Sequence, residues 1–345
     1  MGRWAAASAR GGRIPWPDPV HRRTFVALIG SAFAAPLAAL AQARAKPARI
    51  GFLVPTSRKG YAPRIEGFRA ALRELGYVEG KNLAIEYRSL DDDRYERLPE
   101  LAAQLVALKV DALVTGGTPA TLALKRATST IPIVMGSISD PVATGVVPSL
   151  ARPGGNITGS MFFVAELGVK RLEMLSQALP RMKRVAVLMN ADNVSMVPVE
   201  REMRPAAKQL GLEMQRHNVR SPGDFDSAFA AMAAGGAEAL VIVEDAMLNA
   251  NARRLGAAAT AKRLVSIGAP DVALGGGAFA YGVDQVEMFR RAAHYIDKIL
   301  KGAKPADLPI ERVTKFELMV NMRTVKALGI ALPQTVLVRA ERVIE

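Results

Sequence analysis

The residues best placed to do chemistry are hydroxyls, amides and carboxylates that follow short apolar runs. Asp111-Ala112-Leu113-Val114-Thr115 leads into Gly116-Gly117-Thr118-Pro119-Ala120, where Pro119 suits the first turn of a helix and Thr118 its start. A helix start with free N–H groups and a small hydroxyl suits a carboxylate or similar anion, and it equally suits an ordinary cap. Ser137-Ile138-Ser139-Asp140-Pro141 follows the apolar run 131–135, and Asn190-Ala191-Asp192-Asn193 follows the run 184–189. Glu244-Asp245 ends Leu240-Val241-Ile242-Val243. One of these two carboxylates can face a ligand amine or hydroxyl, or else pair with a neighbouring helix or lobe. Tyr281 lies near a return of the chain between its halves, where it can stack on an apolar ligand or pack in a hinge or core. Thr118, Ser137, Asp140, Asn190, Glu244 and Tyr281 are therefore the candidate ligand-binding residues.

Signatures of catalysis are missing. The chain has no cysteine, which excludes a disulfide, a thiolate metal site, a cysteine nucleophile and a lipid-modified N-terminal cysteine. His21, His217 and His294 have no metal-ligand spacing. There is no G-x-S-x-G elbow and no G-x-x-x-x-G-K-[ST] phosphate loop. Gly275-Gly276-Gly277 lacks the strand-then-helix setting of a dinucleotide site and reads as a mobile loop. Asp91-Asp92-Asp93 reads as a solvated turn. These features predict binding without turnover, and neither a cofactor nor a metal.

The elements that must hold these residues alternate. Arg49-Ile50-Gly51-Phe52-Leu53-Val54 is a short apolar run of the kind a parallel strand buried on both faces shows. After the loop Thr56-Ser57-Arg58-Lys59-Gly60-Tyr61, Pro63 opens a helix with Ile65, Phe68, Leu72 and Leu75 on one face. Strands at 82–88, 111–115 and 131–135 alternate with helices at 95–108 and 119–128. This βαβα order implies a doubly wound parallel sheet, which binds ligands at the carboxyl ends of its strands. The turn-rich stretch 149–159 suits a crossing between lobes. The rhythm then restarts with helices near 167–179, 197–210, 224–234 and 250–262. Strands fall between them at 184–189, 213–219, 239–243 and 264–267. A helix at 285–300 and a final strand and helix within 310–345 complete the chain. Two sheets and a returning tail predict α/β lobes, each doubly wound and parallel, joined by several strands. Their expected bounds are 44–160 plus 284–313, and 161–283 plus 314–345.

The first residues read as an address. His21-Arg22-Arg23 precedes an Ala- and Gly-rich apolar run, 27–41, that ends in Ala41-Gln42-Ala43. A basic flank, an apolar stretch and a small-x-small site describe a signal peptide over 1–43, and the paired arginines resemble a twin-arginine signal. The run is short for a bilayer span and contains Pro36. The stretch before Arg22 is long for a signal, which leaves a downstream translation start open. Cleavage removes five arginines and one aspartate, lowering the formal net charge from +14 to +10. The remaining basic residues are spread through amphipathic helices and form no nucleic-acid recognition pattern.

Four stretches together resemble the ABC-transporter substrate-binding family that includes the tryptophan-binding TrpX-like proteins. They are Glu66-Gly67-Phe68-Arg69 with 74–82; Ser139-Asp140-Pro141-Val142 with 150–159; 299–309; and Lys315-Phe316-Glu317-Leu318 through Asn321 with Ala327-Leu328-Gly329. The resemblance implies the type I periplasmic-binding-protein fold: a monomeric receptor that closes two lobes on a small molecule and delivers it to an ABC permease in the inner membrane. Some relatives bind aromatic amino acids. Gram-positive members are typically lipoproteins, and the missing cysteine departs from that pattern, favouring a freely diffusing periplasmic protein. A periplasmic sensor that presents ligand to a membrane receptor without transport is the alternative.

Overall fold

The computed structural model describes residues 46–345, and the expected signal peptide lies outside the described residues. The first sheet is built from β1 (Ala48–Val54), β2 (Leu83–Ser89), β3 (Ala112–Gly116), β4 (Ile133–Ile138) and β5 (Ile157–Met161). Helices α1 (Ala62–Glu74), α2 (Leu98–Ala107) and α3 (Thr118–Ala127) connect its first four strands. After α4 (Val164–Ala178) the second sheet takes β6 (Arg184–Asn190), β7 (Glu213–Val219), β8 (Ala239–Ile242), β9 (Val265–Gly268) and β10 (Phe279–Gly282). Its connections hold α5 (Met196–Gln209), α6 (Phe225–Ala234), α7 (Ala246–Ala250), α8 (Ala252–Ala261) and α9 (Pro270–Leu274). The chain then returns as α10 (Gln285–Leu300) and β11 (Glu311–Arg312) to the first sheet. It ends in the second with β12 (Glu317–Asn321), α11 (Met322–Leu328), α12 (Gln334–Leu337) and β13 (Arg342–Ile344).

The strand orders are β11-β5-β4-β3-β1-β2 and β13-β12-β10-β9-β8-β6-β7. All pairs are parallel except β10 with β12. Both sheets therefore share one doubly wound order, reversing direction between their first and third strands, β1/β3 and β6/β8. Each sheet buries apolar side chains on both faces, as continuous Val/Ile/Leu runs require. In α1 the buried Ile65, Phe68 and Leu72 lie at helical spacing, and the chain leaves through Gly76 at φ +88°.

Besides the short elements added after β8 and in the C-terminal tail, three stretches take roles other than those expected. The stretch 149–159 is not the crossing: it feeds β5, a buried strand of the first sheet, and the chain crosses at Phe162 and Phe163. Thr158, Gly159 and Ser160 are small, so β5 carries no apolar run to betray it. At Gly159 (φ +137°) the place of a Cβ is filled by the Met135 backbone, so β4 and β5 can pair only around a glycine. Gly275-Gly276-Gly277 is a tight turn against α8 and not a free loop. A Cβ on Gly275 would lie 2.6 Å from Arg253 Cα. Asp93 is not solvated like Asp91 and Asp92: it is buried at φ 56°, with the Thr56 hydroxyl donating to it at 2.5 Å.

Candidate ligand-binding site

The loops at both reversal points face each other across one cleft. From the first lobe come Tyr61 after β1, Gly117-Thr118-Pro119 after β3, Ser137 and Ser139 at the end of β4, and Tyr95 before α2. The second lobe adds Asn193 and Ser195 after β6 and Glu244, Asp245 and Asn249 after β8. Phe162, Val164 and Gln285, at two crossings of the chain, form the floor. The pocket has about 470 Å³ not filled by protein atoms, part of it open to solvent.

Thr118 is the first residue of α3, but Gly117 (φ +81°) holds the cap position. The Thr118 hydroxyl therefore caps nothing, and its oxygen is buried without a hydrogen-bond partner. Ser137 also lines the pocket, and its carbonyl accepts the Gly117 N–H at 2.6 Å, tying the end of β4 to the start of α3. Asn249 lines the opposite wall, and its amide oxygen is likewise buried and unpartnered.

Glu244 reaches the pocket while paired to a wholly buried Arg171 from α4. Arg171 Nη1 donates to Glu244 Oε2 at 2.7 Å, and Nη2 donates to Oε1. The same guanidinium donates to the carbonyls of Ile242 (3.0 Å) and Tyr281 (2.6 and 2.9 Å), closing the ends of β8 and β10. Asp245 takes five donors. Met247 and Leu248 N–H cap α7 on it, Asn190 and Asn193 amides brace it, and the Tyr95 hydroxyl reaches it from the other lobe at 2.9 Å. Burial first, and the Asp245 charge second, push the Tyr95 phenol well up, which keeps it a donor. A second bond between the lobes joins Arg64 to Asp271 at 2.6 Å. Among the described residues no lysine or arginine lines the pocket.

Of the six residues chosen from sequence, Thr118, Ser137 and Glu244 line the pocket, and the other three do not. Asn190 is wholly buried and braces Asp245 from behind. Asp140 accepts the N–H groups of Val142 and Ala143, stabilising a turn. Tyr281 packs its ring against Phe316, with centroids 5.7 Å apart, so it serves core packing. Tyr61, Tyr95, Asn193 and Asn249 were not singled out. Tyr61 and Asn193 stand in loops beyond strands, Tyr95 opens a short 3-10 turn and Asn249 sits in α7, and position along the chain alone does not tell which side chain turns inward.

Asp93 supplies a pH test of the interface between the lobes. Burial raises its carboxyl above the ordinary value, Thr56 and Asn251 oppose the rise, and the nearby charge of Asp245 adds to it. A raised folded value stabilises fully below the unfolded pKa of about 3.9, and that stability is lost as pH rises through the folded value. Asp93→Asn is expected to flatten this fall in melting temperature between pH 4 and pH 7. A variant that keeps the full slope would assign the effect elsewhere.

Two doubly wound lobes closing loops from four strand ends on one pocket define a ligand-binding protein of the hinged, two-lobed kind. Residues 49–344 match the family model described as ABC transporter substrate binding protein, and the chain belongs to that family. It is 26% identical over 264 residues to a tyrosine-binding protein of Clostridioides difficile, covering 76% of this chain and 75% of that one. A conserved domain protein from Vibrio cholerae superposes with a TM-score of 0.80 at 26% identity, covering 86% of this chain and all of the other. An ABC domain in complex with L-Trp from Streptococcus pneumoniae superposes with a TM-score of 0.77, at the same identity and coverage.

Proposed function

We propose that the protein is a periplasmic receptor that captures an amino acid with an aromatic side chain and presents it, between closed lobes, to the permease of an ABC importer. It acts as a monomer of two lobes, 44–160 plus 284–313 and 161–283 plus 314–345, after loss of the signal peptide at 1–43. The observation that carries the ligand class is the pair of orphaned polar atoms in the pocket, Thr118 Oγ1 and Asn249 Oδ1, one from each lobe. Buried polar atoms are normally paired, so both call for a ligand that brings partners. A carboxylate fits the Thr118 hydroxyl and the start of α3, where Pro119 has no N–H and those of Thr118 and Ala120 are the open amides. An ammonium fits the Asn249 oxygen and the acidic wall of Glu244 and Asp245. Tyr61, Tyr95, Phe162 and Val164 offer apolar surface to a ring.

Ligand energy selects the closed arrangement because only there do both lobes touch the ligand. The test is thermal unfolding with L-tyrosine, L-tryptophan, L-phenylalanine and non-aromatic amino acids. An aromatic L-amino acid at a hundred times its Kd is expected to add about 2.7 kcal/mol of stability. No shift with any amino acid would overturn the ligand class. Thr118→Val is expected to weaken binding roughly tenfold or more, as loss of a hydrogen bond to a charged group does. The melting temperature without ligand should stay unchanged, since the hydroxyl has no partner in the protein. Wild-type affinity in the variant would remove Thr118 from the site.

A further inference from the structure

We infer that Tyr61 is a ligand-contacting residue whose hydroxyl donates to the carboxylate of the bound amino acid and so selects acids over the corresponding amines. This rests on the amino-acid reading above and adds a residue that decides specificity within it.

Three neighbours hold the ring of Tyr61. It meets Phe289 edge-on at 5.5 Å and Phe52 edge-on at 6.4 Å, and the Arg64 guanidinium lies over it at 5.2 Å. Arg64 is itself fixed by Gln285 (2.7 Å) and Asp271 (2.6 Å), so the ring has no freedom to turn away. This clamp carries the hydroxyl to the end of β3. A Cβ on Gly116 would collide with the Tyr61 oxygen. Gly116 is not among the glycines at positive φ, so the room it leaves, and not its backbone angle, accounts for the missing side chain. Two residues further on stands the orphaned hydroxyl of Thr118.

Among the described residues no partner accepts from the Tyr61 hydroxyl; the residue is only 3% exposed and lines the pocket, and its oxygen is not among the wholly buried unpartnered atoms, so what access it has is open to the pocket. Burial raises the phenol above its ordinary pKa, so the group stays a neutral O–H donor. A neutral donor at the pocket wall, with no acceptor in the protein, is free to donate to an oxygen that a ligand brings. At this end of the pocket the neighbouring groups are the Thr118 hydroxyl and the N-terminus of α3, which favour an anion, while the carboxylates Glu244 and Asp245 belong to the other lobe. The acceptor that fits is a carboxylate oxygen.

The test compares wild type with Tyr61→Phe by calorimetric titration of L-tyrosine and L-tryptophan against tyramine and tryptamine, the same rings without the carboxylate. The variant is expected to lose roughly tenfold to a hundredfold in affinity for the acids. Its preference for acid over amine should fall by the same factor, which a purely structural role would not produce. Its melting temperature without ligand should be unchanged or higher, because no bond within the protein is lost. Equal acid affinities in the two proteins, or an unchanged acid-to-amine preference, would overturn the assignment and leave the amino-acid reading standing. A wild type that binds none of the four compounds would overturn both.

Discussion

Arg171→Met should lower stability by about 3–5 kcal/mol, the cost of leaving one member of a buried ion pair alone. Arg171 is wholly buried, and the Glu244 side chain is 4% exposed, so water screens neither. Methionine fills much of the volume but strands the Glu244 carboxylate together with the carbonyls of Ile242 and Tyr281. The damage falls on the ends of β8 and β10, and β10 leads directly into the crossing that ends at Gln285. The double variant Arg171→Met/Glu244→Leu should recover the part of the loss due to the stranded carboxylate, since replacing both charged partners by apolar groups is often nearly neutral, while the carbonyls of Ile242 and Tyr281 stay without their donor. Chemical unfolding of the two variants checks this. A single variant within 1 kcal/mol of wild type, or a double variant no better than the single, would refute the pair as the source of the effect.

Asp245→Ala should cost more in function than Arg171→Met, because Asp245 serves both lobes. Its removal loses the cap of α7, worth about 1 kcal/mol, and frees the Asn190 and Asn193 amides. It also breaks the Tyr95–Asp245 bond between the lobes. Once that bond is gone Tyr95 is better hydrated with the lobes apart, so the equilibrium moves toward the open form. The expected result is a larger radius of gyration in X-ray scattering and an affinity for the ligand lower by about a hundredfold, a coupling of 2–3 kcal/mol. Unchanged scattering and affinity would show that Asp245 is only a helix cap. Tyr95→Phe removes the same bond from the other lobe and should reproduce the opening with a smaller loss of stability, since the cap on α7 remains intact.

The two α/β lobes were legible because buried parallel strands print as Val/Ile/Leu runs, and short crossovers leave one sheet topology. Runs such as 111–115 and 239–243 also marked the strand ends, and so the loops that surround the pocket. β5 escaped because its Thr158, Gly159 and Ser160 are small. The short helices α7 and α9, at five residues each, carry too little periodicity to read.

At the site, sequence alone determined that Thr118 opens a helix and that two carboxylates end β8. Only the tertiary structure decided their roles. Gly117 takes the cap and frees the Thr118 hydroxyl. Arg171, 73 residues before Glu244, engages that carboxylate, while the adjacent Asp245 turns to Tyr95 of the other lobe. Tyr61 became a pocket residue through Phe52, Phe289 and the empty space at Gly116. The reason is physical: periodicity and turn chemistry are local and set where a residue stands along the chain. The direction of a side chain and the partner it meets depend on packing between segments far apart in sequence, which no local pattern encodes.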